Sequence, residues 1–485
     1  MSEVVLGVDS STQSCTVEVR DLVTGALVST GRASHPATRP PVSEQRPESW
    51  WQALVTAVRD ALRGHDVRVR GIGVGAQCHA PVLTGADGQV LRAAKLWNDT
   101  TSAPQAAAML RAWGPGRWTA EVGISLLASV TVAKLAWLAE HEPETLARAR
   151  RIAVPHDWLT FMLTGRHVTD RSDASGTGYF TAETMTWRTE ILEEFVGERD
   201  WLPMLPHVLG PDEAAGTLTP AAAAELGVDP DVVVSAGGGD QHLAAQGIGL
   251  EEGEIAYSLG TSGVVLATSP HRVADPAGQV DGVANVTGGY LPLVCTLNAT
   301  KVTDAFARLL GVGHDELSRL ALAAPLAPDR PVLAAYLDGE RSPQLPQARG
   351  MLSGLSGDVT REQLALAAVE GVALGLLRGE RLLRAHGIEA SGRSLLVGGG
   401  ARSAAYRQVI ADLTGRPAVT VDAPEGTARG AAVQAAAVVR HETVAGLTRE
   451  WSPPVTSCTE PVADRSAVWE RYLRLADLQS TGETY

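Results

Sequence analysis

The sequence predicts an α/β protein made of two related mixed-sheet halves with a ligand cleft between them. Three observations lead there. At 485 residues the chain is longer than one hydrophobic core usually serves. A strand, a hydroxyl-rich turn and a second strand occupy residues 4–20, and the same plan returns at residues 255–268. Turns rich in small and hydroxyl residues at 10–14, 260–263 and 398–402 can converge backbone N–H groups on phosphate oxygens.

Taken in order, residues 4–8 form an apolar strand ending at Asp9, 16–20 a second strand, and 27–30 a third after the Val23-Thr24-Gly25 turn. Residues 50–63 have helical spacing, with Trp51, Leu54, Val55, Val58 and Leu62 on one face. Strand 67–74 runs into Gly75-Ala76-Gln77-Cys78-His79, and the order strand, strand, helix, strand is that of a mixed α/β domain. A mostly helical stretch covers 101–163, followed by a polar, glycine-bearing segment at 169–179. The second half starts over near Val232 with an apolar run ending in Gly237-Gly238-Gly239-Asp240. Strand 255–259, the Gly260-Thr261-Ser262-Gly263 turn and strand 264–268 follow, so structure is duplicated more than letters are. Helix 360–386, strand 394–397, the Gly398-Gly399-Gly400 turn and helix 404–413 come next. Beyond Val439 the chain reads as irregular, with a closing helix at 466–478.

Composition is that of an ordinary globular protein, 45% apolar and 20% charged. The net charge of −14 and the lack of a basic patch oppose binding to nucleic acid or to an anionic membrane, and no apolar run is long enough to span one. Residues 1–6 enter a strand without a basic segment or cleavage site, so a cytoplasmic protein is expected. Lys95, Lys134 and Lys301 are the only lysines, so phosphate binding must lean on backbone N–H groups, arginine or a divalent cation. The scattered Cys15, Cys78, Cys295 and Cys458 suggest reduced thiols, with neither a disulfide frame nor a zinc site.

Asp9 and Asp240 are the most informative residues. Each is an acid at the mouth of an apolar strand, where a carboxylate can hold a metal ion or accept a proton. Either one alone could be a turn or cap acid. Two such acids, each near a phosphate-type turn, point to a site. Gly71-Ile72-Gly73-Val74-Gly75 opens no helix and has no acid about twenty residues on, which speaks against a dinucleotide fold, and no Walker A sequence occurs.

These motifs resemble those of the FGGY carbohydrate kinases, within the actin-like ATPase superfamily. The likeness runs from about residue 6 to residue 437 and rests on five motifs in the family's order. They are Gly7-Val8-Asp9-Ser10-Ser11-Thr12, Gly75-Ala76-Gln77-Cys78-His79, Trp97-Asn98-Asp99, Gly237-Gly238-Gly239-Asp240 with Ser258-Leu259-Gly260-Thr261-Ser262-Gly263, and Gly398-Gly399-Gly400-Ala401-Arg402-Ser403. Residues 129–141 fit a further signature, and Asp338-Gly339-Glu340-Arg341-Ser342-Pro343 resembles another family segment.

The resemblance implies two duplicated actin-like (ribonuclease H-like) domains: 1–247 with the sugar loops and first phosphate loop, 248–440 for nucleotide, and 441–485 as an extension. It implies ATP-dependent phosphorylation of a sugar, specifically D-xylulose to D-xylulose 5-phosphate, with ATP and Mg²⁺ required. Asp240 is then the base for the sugar hydroxyl, with the three glycines before it allowing close approach of the substrate, and Asp9 the organiser of Mg²⁺ through water. Thr12, Gly260, Thr261 and Ser262 would hold phosphates, and Gly399, Gly400 and Ala401 would line the adenosine pocket. Gln77, Cys78, His79, Asn98, Asp99 and Asp240 would contact the sugar, with Trp97 as an apolar wall. Without the resemblance, His79 reads as a structural histidine satisfied by backbone. Lys134 and Trp137 read as helix packing and surface, and Asp338, Glu340 and Arg341 as an ion-pair hinge.

Three departures stand out. Thr16 occupies a place where relatives carry Lys or Arg, Thr101 one where relatives often have Arg, and Cys78 replaces the usual Met or Gln. The first two put ATP affinity and sugar contact in question. Another ketose or a polyol (ribulose, fuculose or glycerol type) stays open as substrate, as does a catalytically weak sugar-binding regulator, against which the retained Asp9 and Asp240 speak. A homodimer also stays open.

Overall fold

The computed structural model describes residues 2–478. The last seven residues of the expected extension lie outside that range. In the first half, strands β1 (Ser2–Ser10), β2 (Ser14–Asp21) and β3 (Leu27–Ser34) form an antiparallel meander, each about as long as the apolar alternation allows. Helix α1 (Pro47–Leu62) starts on a proline, which suits a first turn, and buries Trp50, Trp51, Leu54 and Val58. Strand β4 (Val67–Ala76) then returns parallel to β1.

The stretch read as mostly helical is broken up. Helix α2 (Ala103–Val122) kinks at Gly114, whose φ of 73° and following Pro115 interrupt the ladder. Helices α3 (Thr131–His141), α4 (Pro155–Thr164) and the short α5 (Arg171–Ser175) follow, and a strand Arg151–Ala153 between α3 and α4 pairs with Val82–Thr84. Strands β5 (Ala214–Thr217) and β6 (Val233–Ser235) complete the sheet in the order β5-β6-β4-β1-β2-β3, and helix α6 (Asp240–Gly247) leaves its end.

The second half repeats this topology. Strands β7 (Ile255–Leu259), β8 (Gly263–Leu266), β9 (Asp281–Ala284), β10 (Tyr290–Thr296), β11 (Ser394–Val397), β12 (Ala418–Val421) and β13 (Val455–Thr459) lie in the order β9-β10-β8-β7-β11-β12-β13. From β10 to β13 the pairings run antiparallel, antiparallel, parallel, parallel, antiparallel, the same series found from β3 to β5. Duplication of the α/β unit is therefore a fact of the strand order. Helices α7 (Arg361–Ala385) and α8 (Ala404–Thr414) cover this sheet, α7 opening on a Thr360/Gln363 capping box.

Two elements depart from the reading of the sequence. Residues 426–440 form an alanine-rich helix, α9 (Gly426–Arg440), which packs on β1, β4 and α6 of the first half. The region beyond Val439 is also not irregular: after α9 and a short helix Val444–Glu450, β13 closes the second sheet. Its Val-Thr-Ser-Cys-Thr sequence is half-exposed at a sheet edge, so no apolar run announces it. Helix α10 (Ser466–Asp477) ends the described chain as read. Among the described residues no helix is long and apolar enough to cross a membrane.

Candidate active site

The parallel strands β1 and β4 end side by side, with Asp9 opposite Gly75 and Ser10 opposite Ala76. Gly238–Gly239 pair with Gly75–Ala76, so Asp240 starts α6 at the same edge. Asp9, the Gln77–His79 loop and Asp240 thus converge outside the carboxyl ends of parallel strands, where α/β folds place ligands.

The two carboxylates sit in different surroundings. Asp9 Oδ1 is buried and has no hydrogen-bond partner, and the group's pKa is raised to about 8 by burial, then by the charges of Asp240 and Glu425. Asp240 is raised to about 6, mainly by burial. The Gln241 N–H, 2.7 Å from its Oδ1, pulls it back down, and Asp173 pushes it up. The Cys78 thiol lies 3.8 Å from the same Oδ1.

Gln77 is buried, and its Oε1 has no partner. Its backbone N–H donates to Ser10 O at 3.0 Å, tying this loop to the first phosphate-type turn. His79 adopts a φ of 70°, a conformation a non-glycine residue holds only when its surroundings insist. Its Nδ1 is 2.8 Å from Gly176 O, and its carbonyl accepts from Thr131 Oγ1 and Lys134 Nζ. Burial and the nearby Lys134 lower its pKa to about 4, so the ring is neutral at physiological pH. Lys134 is fully buried and donates to the carbonyls of both His79 and Ser129, which corrects its reading as surface or simple packing.

Trp97 is 48% exposed and donates its indole N–H to Thr12 Oγ1 at 2.8 Å, which links the 97–99 loop to the phosphate-type turn at 10–14. Asn98 keeps a buried Oδ1 without a partner. Asp99 is fully buried: its carboxylate accepts from the backbone N–H groups of Ser43 and Thr101 and from the Thr101 hydroxyl, with Lys95 3.6 Å away. A carboxylate so enclosed holds the loop in shape, while Trp97 and Asn98 keep polar or apolar surface that no protein group takes up. Thr101, where an arginine was missed, bridges Asp99 to Lys95 Nζ.

The glycines before Asp240 make room for protein neighbours. Gly237, at φ +81°, would press a Cβ within 2.6 Å of Val74 O and 2.7 Å of the His156 ring. A Cβ on Gly238 would meet Val286, and one on Gly239 the Cys78 sulfur at 2.7 Å. Close approach of a substrate is not what these contacts require. Beneath them His156 is fully buried against Asp173, 2.8 Å from Nδ1, with Asp157 and Asp170 beside it. No pattern in the sequence pointed to this cluster, because its members come from α4, α5 and the residue that caps α5.

In the second half, Gly260, Thr261, Gly399 and Gly400 line one cavity of about 1060 Å³ together with Thr303, His314, Arg402 and Tyr406. The sequence reading missed Thr303, His314 and Tyr406, which lie on helices with no motif of their own. Ser262 is exposed on the 260–263 turn without lining the cavity, and Ala401 turns into the core. Glu340 is buried and accepts from Thr296, Leu297 and Asn298, while Arg341 pairs with Asp281 and Asp338 with Lys301, so this segment is a structural ion-pair and hydrogen-bond junction.

Residues 4–247 match the FGGY family of carbohydrate kinases, N-terminal domain, and residues 255–439 its C-terminal domain. The chain is 40% identical over 461 residues to a xylulose kinase of Streptomyces rubiginosus, covering 94% of this chain and 92% of that one. A xylulose kinase of Haemophilus influenzae is 33% identical over 89% of this chain and 90% of its own. Among solved structures, a xylulose kinase from Bifidobacterium adolescentis superposes with a TM-score of 0.88 at 37% identity, covering 98% and 99% of the two chains.

Proposed function

We propose that this chain, which belongs to the FGGY family of carbohydrate kinases, transfers the γ-phosphoryl group of ATP to D-xylulose, giving D-xylulose 5-phosphate and ADP. The observation that carries the reading is the meeting of Asp9, Asp240 and the Gln77–His79 loop at one strand edge. The 40% identity to a xylulose kinase supports the choice of sugar.

Phosphoryl transfer asks the protein for alignment, charge neutralisation and a place for one proton. The sugar's terminal hydroxyl oxygen attacks the γ-phosphorus, its proton passes to Asp240, and ADP leaves. Gln77, the neutral His79 and Asn98 hold the sugar's hydroxyls, Trp97 gives an apolar wall, and Asp99 keeps that loop in shape. Thr12, Gly260, Thr261 and Ser262 take the phosphates, and Gly399 and Gly400 border the adenosine side, with Ala401 supporting them from the core. In this scheme residues 1–247 carry the sugar loops and 248–440 the nucleotide, followed by the extension from 441. Asp9 fits a divalent cation held through water: its buried Oδ1 has no partner, and the repulsion from Asp240 and Glu425 is relieved by positive charge. Magnesium, when bound, neutralises phosphate charge. Use of ATP is in keeping with a cytoplasmic protein.

An ADP-release assay across pentuloses, hexuloses and polyols with Mg-ATP tests this reading, and the highest kcat/KM is expected for D-xylulose. Preference for another sugar would move the substrate; silence on all of them would overturn the kinase reading in favour of a sugar-binding regulator. The pH profile gives an independent check. A base must be ionised to act, and Asp240 is ionised only above its pKa of about 6, so kcat/KM should fall as pH drops through that value. A profile flat down to about pH 5 would remove Asp240 from the role.

A further inference from the structure

Thr16 leaves the near end of β2 without a cation beside the turn at 10–14, since Arg20 farther along is paired with Glu18, and the sheet places one on the next strand. Asp9 faces Thr16 across β1 and β2, and Thr16 faces Arg32 across β2 and β3. Directly opposed residues of antiparallel strands point to the same side, so Asp9, Thr16 and Arg32 form one row on one face. Gly7, two residues from Asp9 and therefore on that same face, is covered by α9, which begins just after Glu425. The row thus lies at the open end of α9, beside the turn.

Arg32 is exposed and makes no ion pair among the described residues. Its Nε donates to Ser14 Oγ at 3.1 Å, and Ser14 O in turn accepts from Ser11 N–H at 3.1 Å, so the guanidinium is fastened to the end of the phosphate-type turn. Its charge favours the ionised forms of both Asp9 and Glu425, in keeping with its place in the same cross-strand row as Asp9. Of the other basic side chains, Arg20 on β2 is paired with Glu18, and Arg402 lines the cavity of the second half. Lys95 and Lys134 are buried under the sugar loops, and Lys301 is paired with Asp338. An arginine fastened through one nitrogen keeps its remaining N–H donors for phosphate oxygens.

We propose that Arg32 is the side chain that binds the terminal phosphates of the nucleotide, supplying from β3 the cation that position 16 lacks. The proposal rests on the kinase reading, since it takes the phosphates to lie over residues 10–14. Calorimetry with Mg-ATP and with adenosine, in the absence of sugar, separates the two ideas. Arg32→Ala should weaken Mg-ATP binding by about 10- to 100-fold, the worth of charge-assisted hydrogen bonds, and leave adenosine binding unchanged. Arg32→Lys should retain most of the affinity. Strands in a sheet are about 4.8 Å apart, so a lysine one strand over reaches the same oxygens, and the double variant T16K/R32A should recover about tenfold of what R32A loses. Unchanged Mg-ATP affinity in Arg32→Ala, or an equal loss for adenosine, overturns the proposal. A double variant that melts like the wild type and recovers nothing overturns the exchange of the cation between strands. A wild-type chain that binds no Mg-ATP overturns the kinase reading instead.

Discussion

Asp240→Asn is expected to lower kcat by about 10²- to 10⁴-fold while Mg-ATP binds as in the wild type. The amide is nearly isosteric with the carboxylate, and its oxygen can still accept the Gln241 N–H that now lies 2.7 Å from Oδ1. Its place at the first turn of α6 is kept, so the helix should not move. What is lost is the ability to take a proton. An amide cannot hold the hydroxyl proton at neutral pH, and the neighbouring carboxylates have other work: Asp173 is engaged with His156, and Asp9 in this scheme serves the divalent cation. The residual rate should also lose the acid limb near pH 6, because that limb belongs to the removed group. Steady-state rates with D-xylulose over a pH series, beside calorimetry with Mg-ATP, give both readouts. Turnover within about tenfold of the wild type would show that the proton leaves by another route.

The distinction between what the sequence revealed and what it hid follows from how far each signal travels along the chain. Strands β1, β4, β6, β7 and β11 are short apolar runs followed by small residues, and that pattern is local, so they and the residues at or just beyond their ends, Asp9, Gln77 and Asp240 among them, were legible. Helix α9 is alanine-rich because it lies tight against a sheet and another helix, and such a helix lacks the one-sided stripe that marks an amphipathic one. The glycines at 237–239 could be seen, but their reason could not. Ligand approach and crowding by His156, Val286 and Cys78 call for the same residue, and only coordinates tell them apart. Lys134 and Asp99 show the same limit with charge: each is fully buried, and their partners lie on segments as distant as residues 43 and 79. Arg32 was invisible for the simplest reason, that a cross-strand neighbour is sixteen residues away in sequence and directly opposite in space.

Gly7→Ala is the substitution expected to damage the fold most for the smallest change in the chain. A Cβ at position 7 would lie 1.8 Å from Ala428 O and 2.7 Å from Ala432 N, both backbone atoms of α9. Side chains can rotate away from such a contact, but a helix backbone can yield only by moving as a body. Helix α9 has nowhere to go, because Gly73 brings β4 to it as closely, with a Cβ there 2.1 Å from Ala431 O, and Gly247 and Gly430 lock it against α6. The methyl group should therefore cost about 3 kcal/mol or more and lower Tm by roughly 3–6 °C. Activity should fall further than stability alone dictates. Asp9 lies two residues along β1, and Thr427 Oγ1 of α9 donates to Asp240 O at 3.1 Å, so displacing α9 disturbs both acids at once. Misplacement on the scale of 1 Å can cost about 10²-fold in rate, and a loss of this order is expected well below the melting transition. Gly357→Ala is the matched control: no atom lies within 4 Å of its Cβ, and the change should stay within about 0.5 kcal/mol. If Gly7→Ala melts with the control, β1 and α9 are not in backbone contact, and the bond this contact makes between the two halves must be sought elsewhere.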